Sequence, residues 1–162
     1  SGNWLPAYWF EEKDAAGGAM MDLGCHPVYI LADFLGKPTR VKGLFNSPFG
    51  TKVDENAVMA VEFENGAIGV AETAFVSYEC PFILEVHGTK GRLISTEEGH
   101  FDFRSELIPA DEKLELPAPN AEPIIQFIDA CINNTGSPEG MGIDDAIALT
   151  ELLEKAYISN NN

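Results

Sequence analysis

Apolar residues are spaced in two ways along the chain, and each change of spacing marks a change of element. From Ala19 to Leu35 the positions Met20, Leu23, Val28, Leu31, Phe34 and Leu35 recur at helical spacing, one face of a 3.6-residue repeat. Gly36-Lys37-Pro38 ends this helix, because glycine suits the cap and proline cannot continue the turn. Pro27 lies inside the helix and predicts a kink, since it lacks an N–H and crowds the preceding turn. Beyond Thr39 the pattern becomes that of strands. Arg40–Phe45, Ala57–Phe63, Ala67–Val76, Phe82–His87, Arg92–Ser95 and His100–Arg104 read as extended, with Lys113–Leu116 a further short edge strand. Asn65-Gly66 between two such runs predicts a hairpin with a type I′ turn. Gly88-Thr89-Lys90-Gly91 reads as the turn of a second hairpin. After Pro117-Ala118-Pro119 the helical pattern returns in Ile124–Asn133 and Ile143–Ser159. The last helix carries Asp144-Asp145 near its start, where negative charge suits the dipole. One helix, about six antiparallel strands and two helices make an α+β protein, expected as a single domain over residues 1–162.

Composition narrows the function classes. The chain has 162 residues, 45% of them hydrophobic and 22% charged, which fits a globular domain. No run approaches the ~18 apolar residues of a membrane span, and no signal-peptide pattern opens the chain. The Ser1-Gly2 start without methionine reads as a fragment of something longer. Ten Lys and Arg face 26 Asp and Glu, a net charge of −16. The three arginines, Arg40, Arg92 and Arg104, form no basic run, so nucleic acid and anionic membranes are poor partners. Cys25, Cys80 and Cys131 are far apart with no CxxC. Reduced thiols in a cytoplasmic protein are expected, with no zinc site. There is no strand–GxGxxG–helix, no Walker spacing around Gly88–Gly91 and no GxSxG elbow.

The segment richest in chemistry is Gly17-Gly18-Ala19-Met20-Met21-Asp22-Leu23-Gly24-Cys25-His26-Pro27. On a helix Asp22 and His26 stand four apart and share a face, which Tyr29 and Asp33 continue. Such a carboxylate and imidazole form either an acid–base pair, with the carboxylate orienting the ring and favouring its protonated form, or a surface pair worth a few tenths of a kcal/mol. Trp4, Tyr8 and Trp9 either stack on a sugar or cofactor ring or pack at a domain edge. Tyr78 and Glu79 end a strand within reach of the same pocket or lie on the surface. His87 and His100 read as core or surface residues, and nothing spaces the three histidines for a metal.

The same segment, ending at Phe34-Leu35-Gly36, resembles the helix that opens the substrate half of the Gfo/Idh/MocA oxidoreductases. Val58 to Phe75, with Phe63-Glu64-Asn65-Gly66-Ala67 at its turn, resembles that family's strand–turn–strand unit. Leu84-Glu85-Val86-His87-Gly88-Thr89-Lys90-Gly91 resembles its next hairpin. Phe127-Ile128-Asp129-Ala130 through Ala156-Tyr157-Ile158-Ser159 resembles its last two helices. The resemblance implies the family's C-terminal substrate and oligomerisation domain, an open and predominantly antiparallel sheet covered on one face by helices, like the C-terminal domain of glyceraldehyde-3-phosphate dehydrogenase. It also implies a Rossmann domain, absent from this chain, that binds NAD or NADP and supplies a lysine from a Glu-Lys-Pro motif.

Carried onto these residues, the resemblance makes His26 the general acid/base and Asp22 the orienting or substrate-binding carboxylate. Tyr8, Trp9, Tyr29 and Tyr78 are the further substrate-binding candidates, and no metal is implied. Tyr29 stands where the family often has an aspartate. The implied activity is hydride transfer between a nicotinamide cofactor and a sugar, inositol or related polyol or its keto form. The parent would be a cytoplasmic homodimer or homotetramer joined through the sheet face, and the isolated chain would be inactive. The second reading is a non-catalytic sheet module for dimerisation or ligand binding. The third is a metal-dependent hydrolase built on Asp22, His26 and another histidine.

Overall fold

The computed structural model describes residues 17–78, 81–95, 101–109, 112 and 117–160. Trp4, Tyr8, Trp9, Glu79, Cys80, His100 and the strand expected at Lys113–Leu116 lie outside them. The chain forms two compact units. The first comprises residues 1–78 and 123–162, the second residues 79–122.

The first unit opens with α1 (Ala19–Asp22) and α2 (Cys25–Leu35). The antiparallel sheet β1 (Pro38–Asn46), β2 (Asn56–Phe63) and β3 (Ile68–Ala74) follows in the order β1-β2-β3. Helices α3 (Pro123–Asn133) and α4 (Ile143–Asn160) complete it. Alternation along β2 sends Ala57, Met59, Val61 and Phe63 into the core. There they meet Met20 and Val28 from α1 and α2 and Leu152, Leu153 and Ala156 from α4. Each such side chain contributes about 1.5–3 kcal/mol when fully buried. The opposite face of the sheet is open, with Leu44, Ile68 and Val70 exposed. The α+β class with helices on one face of an antiparallel sheet is thus as the sequence implies. Only the C-terminal half of the α4 stripe is buried, however; Ile143 and Ile147 stand in solvent, as do Ile124, Phe127 and Ile132 of α3.

Two expectations change. The single kinked helix over Ala19–Leu35 is two helices, broken at Leu23-Gly24. Pro27 cannot donate to the carbonyl of Leu23 four residues back, and its ring crowds that carbonyl. His26 N–H takes that carbonyl instead at 3.3 Å, while Leu23 and Gly24 N–H both bond Ala19 O at 2.9 Å. The proline therefore sits harmlessly in the first turn of α2, where N–H groups lack helical partners anyway. The β2–β3 turn is also not type I′. Only Gly66 has positive φ, at 83°. Gly66 N–H bonds Phe63 O at 2.9 Å, Phe63 N–H bonds Ala67 O at 3.0 Å, and Asn65 Oδ1 accepts from Ala67 N–H at 3.0 Å. This is a three-residue loop with glycine in the left-handed position.

The edge of β1 is closed by the end of α4. Ser159 Oγ accepts from Gly43 N–H and Asn160 Oδ1 from Phe45 N–H, both at 2.8 Å. These side chains satisfy donors that an edge strand otherwise leaves open to another chain.

The second unit is the antiparallel sheet β4 (Leu84–Gly88), β5 (Gly91–Ser95) and β6 (Phe101–Ser105), in the order β4-β5-β6. Thr89 and Lys90 turn β4 into β5. All six expected strands within the described residues are present, three in each sheet.

Candidate active site

The segment carrying Asp22 and His26 is anchored by one carboxylate from the loop before β2. Asp54 Oδ1 accepts from Gly18 N–H at 3.0 Å and Oδ2 from Met20 N–H at 2.8 Å. Its main-chain oxygen accepts from the intervening Ala19 N–H at 2.8 Å. Three successive donors at the start of α1, which have no helical partners, are thereby satisfied by one residue. The approach is so close that a Cβ on Gly18 would lie 2.2 Å from Asp54 O, so only glycine fits there. Tyr157 of α4 donates its hydroxyl to Asp54 Oδ1 at 2.8 Å and packs edge-to-face on Phe45 with ring centroids 4.8 Å apart. Burial, then the bond to Asp54, pushes the Tyr157 phenol well above its ordinary range. The neighbouring Glu55 is fully buried and holds the β1–β2 loop, accepting from Phe49 N–H at 2.7 Å and Thr51 N–H at 3.1 Å.

Asp22 is therefore the last residue of α1 and His26 lies in the first turn of α2. They do not share a face of one regular helix, yet the break keeps them within electrostatic reach. Burial raises the Asp22 carboxyl above its usual range, and the charge of His26 partly opposes the rise. Among the described residues no hydrogen bond joins the two side chains. Asp22 is half-buried and His26 exposed, so the imidazole faces outward while its carboxylate is partly shielded. The Cys25 thiol donates to Asp22 O at 3.1 Å, and burial followed by the Asp22 charge pushes it up. Such a thiol is a poor nucleophile.

The other sequence candidates are dispersed. Tyr29 is committed to the loop before α4, donating its hydroxyl to Gly140 O at 3.1 Å. Tyr78 is 92% exposed at the end of its segment. His87 belongs to β4 in the second unit. A cavity of about 600 Å³ opens beside Gly17, Met21, Lys52, Asp54, Glu154 and Tyr157, and neither Asp22 nor His26 lines it. Among the described residues no three His, Cys, Asp or Glu side chains gather to hold a metal ion, so the hydrolase reading finds no third ligand there. Sequence reading missed Asp54 and Tyr157, whose partners lie 36 and 103 positions away. The only local signal was an adjacent acid pair, Asp54-Glu55, between Val53 and Asn56 at the start of β2.

Residues 1–94, more than half of the chain, match the GFO/IDH/MocA C-terminal domain. The chain belongs to this family. It is 34% identical over 82 residues to D-xylose 1-dehydrogenase (NADP(+)) 2 of Haloferax volcanii, covering 51% of this chain and 25% of that relative. Among solved structures it is similar to an oxidoreductase of Desulfitobacterium hafniense, with a TM-score of 0.81 and 22% identity over 99% of this chain and 51% of that one. It is also similar to GenD2 from gentamicin A biosynthesis, solved with NAD, with a TM-score of 0.74 and 26% identity over 98% and 50%. The chain thus spans about half the length of these solved relatives. The family assignment agrees with the resemblance read from Gly17–Pro27.

Proposed function

We propose that this chain is the substrate half of an NAD- or NADP-dependent dehydrogenase acting on a sugar or related polyol, with its dinucleotide domain elsewhere in the same protein. The observation that carries the reading is the exposed His26 imidazole beside the partly buried Asp22, on a segment fixed by Asp54. The named relatives, a D-xylose dehydrogenase and an NAD complex, support the substrate class and cofactor. A nicotinamide dinucleotide supplies the hydride acceptor when bound. This chain's share is proton handling and positioning. His26 removes the hydroxyl proton as the alcohol becomes a carbonyl and returns it in the reverse direction. Asp22 offers an acceptor to a substrate hydroxyl. The exposure of His26 suits a site completed by a second domain. Free thiols at Cys25 and Cys131 suit a reducing, cytoplasmic compartment, and among the described residues no helix is long and apolar enough to cross a membrane.

The open face of β1–β3 is the surface we assign to contact with a second copy. Leu44, Val58, Ile68 and Val70 are exposed there. Lys42 on β1 and Glu72 on β3 flank them. Val70→Glu in the whole protein is expected to yield monomers by light scattering; unchanged mass would remove this assignment.

The activity is tested by following nicotinamide absorbance with the whole protein, both cofactors and a panel of aldoses, inositols and polyols. Turnover of at least one is expected, with none from residues 1–162 alone. No reduction of either cofactor with any of them would favour the non-catalytic module.

A further inference from the structure

The second unit carries an arrangement that neither its fold nor the Asp22–His26 site requires. Its sheet sets His87 opposite Arg92 and Arg92 opposite Arg104, one row across three strands. Two guanidiniums directly opposite one another, Arg92 and Arg104, destabilise a sheet. The adjacent row on the same face is Glu85, Ile94 and Asp102, and of its two acids Asp102 alone pairs with the guanidiniums among the described residues. Asp102 is shared, with one oxygen 2.5 Å from Arg92 Nη2 and the other 3.6 Å from Arg104 Nε. Glu85 lies 3.5 Å from His87 Nε2. Lys90, in the turn, has no carboxylate partner among the described residues. The Nε of Arg92 is buried without a hydrogen-bond partner there, which costs free energy wherever a donor is left unpaired. These groups border one open concavity of about 420 Å³, lined by His87, Thr89, Lys90, Arg92, Arg104 and Glu106. The whole chain has three arginines and a net charge of −16, yet two of the three meet here.

We propose that this concavity binds a phosphate group. Guanidinium forks match the geometry of phosphate oxygens and make charge-assisted hydrogen bonds to them. Bound phosphate would neutralise the repulsive row and engage Lys90 at the turn. The volume also admits the remainder of a phosphorylated small molecule, so free phosphate and a phosphate ester are the two sources to separate. The site stands apart from the dehydrogenase reading, because it uses no residue of α1 or α2.

The test is amide and Arg Nε–H NMR of the 162-residue chain, titrated with inorganic phosphate against sodium chloride at matched ionic strength. Saturable shifts confined to residues 87–92 and 104–106 are expected. Lys90→Gln, on an exposed turn, and Arg104→Gln should each weaken binding about tenfold, as expected for one charge-assisted hydrogen bond lost. Arg104→Gln should melt no lower than the parent without phosphate and lose the rise in Tm that phosphate gives the parent. A sugar phosphate that binds more tightly than phosphate points to an ester; equal affinity points to the free ion. Shifts that do not saturate, that chloride reproduces, or that survive both substitutions unchanged would overturn the proposal.

Discussion

Asp54 anchors the segment that carries Asp22 and His26 without belonging to it. Its two oxygens and its main-chain carbonyl take the N–H groups of Gly18, Ala19 and Met20, and Tyr157 holds one of those oxygens from the far side. Asp54→Ala takes the carboxylate from Gly18 and Met20 N–H while the main-chain bond to Ala19 N–H stays, and is expected to cost about 3 kcal/mol. Tyr157→Phe, which removes the bond donated to Asp54 and the longer one accepted from Gly18 N–H at 3.4 Å, should cost about 1–2 kcal/mol. Urea unfolding of the two variants checks both the order and the size. Asp22 makes a separate prediction with a definite sign. Burial raises its folded pKa, so the folded state holds the proton more tightly than the unfolded state does. Its contribution to stability is therefore present at low pH and lost as pH rises through the folded value. Carboxyl ¹³C shifts should show Asp22 titrating above the ordinary aspartate range, and His26→Gln should raise it further by removing the opposing charge. A downward move would contradict the described geometry. Asp22 and His26 stand out as candidates in sequence because a short motif carries them. Asp54 and Tyr157 do not, since their meaning lies in contacts across 36 and 103 positions.

Elements were more legible than their joints. Periodicity locates every described strand and the two C-terminal helices, because alternation in β2 and the stripe of α4 mirror real burial. The breaks depend on hydrogen bonds that spacing does not encode. Pro27 divides a helix one turn upstream of itself, and this places Asp22 and His26 on different helices. Asn65-Gly66 forms a three-residue loop in which glycine alone takes positive φ. Gly66→Ala should therefore cost about 1–2 kcal/mol, the left-handed penalty for one residue, while Asn65→Ala loses only the bond to Ala67 N–H. The seal of the β1 edge is also invisible in sequence, for Ser159 and Asn160 read as an ordinary polar helix end. Asn160→Ala should speed amide exchange at Phe45 and leave Ala60, in the middle strand, unchanged. Equal protection in both proteins would show that the edge is closed by something else.

For the molecule as a whole, the chain belongs to the GFO/IDH/MocA family and spans about half the length of its solved relatives, and the His26 we propose as acid/base is exposed. On the proposed reading the chain supplies a carboxylate and a proton acceptor, and hydride chemistry belongs to a nicotinamide cofactor. The large negative charge keeps such a domain soluble and adds nothing to fold or specificity. The central claim is that His26 moves the proton. In the whole protein, kcat for the preferred sugar should fall about 10²–10⁴-fold in His26→Gln, the range for loss of a general acid/base, with KM little altered. A kcat within about twofold of the parent would show that the proton goes elsewhere.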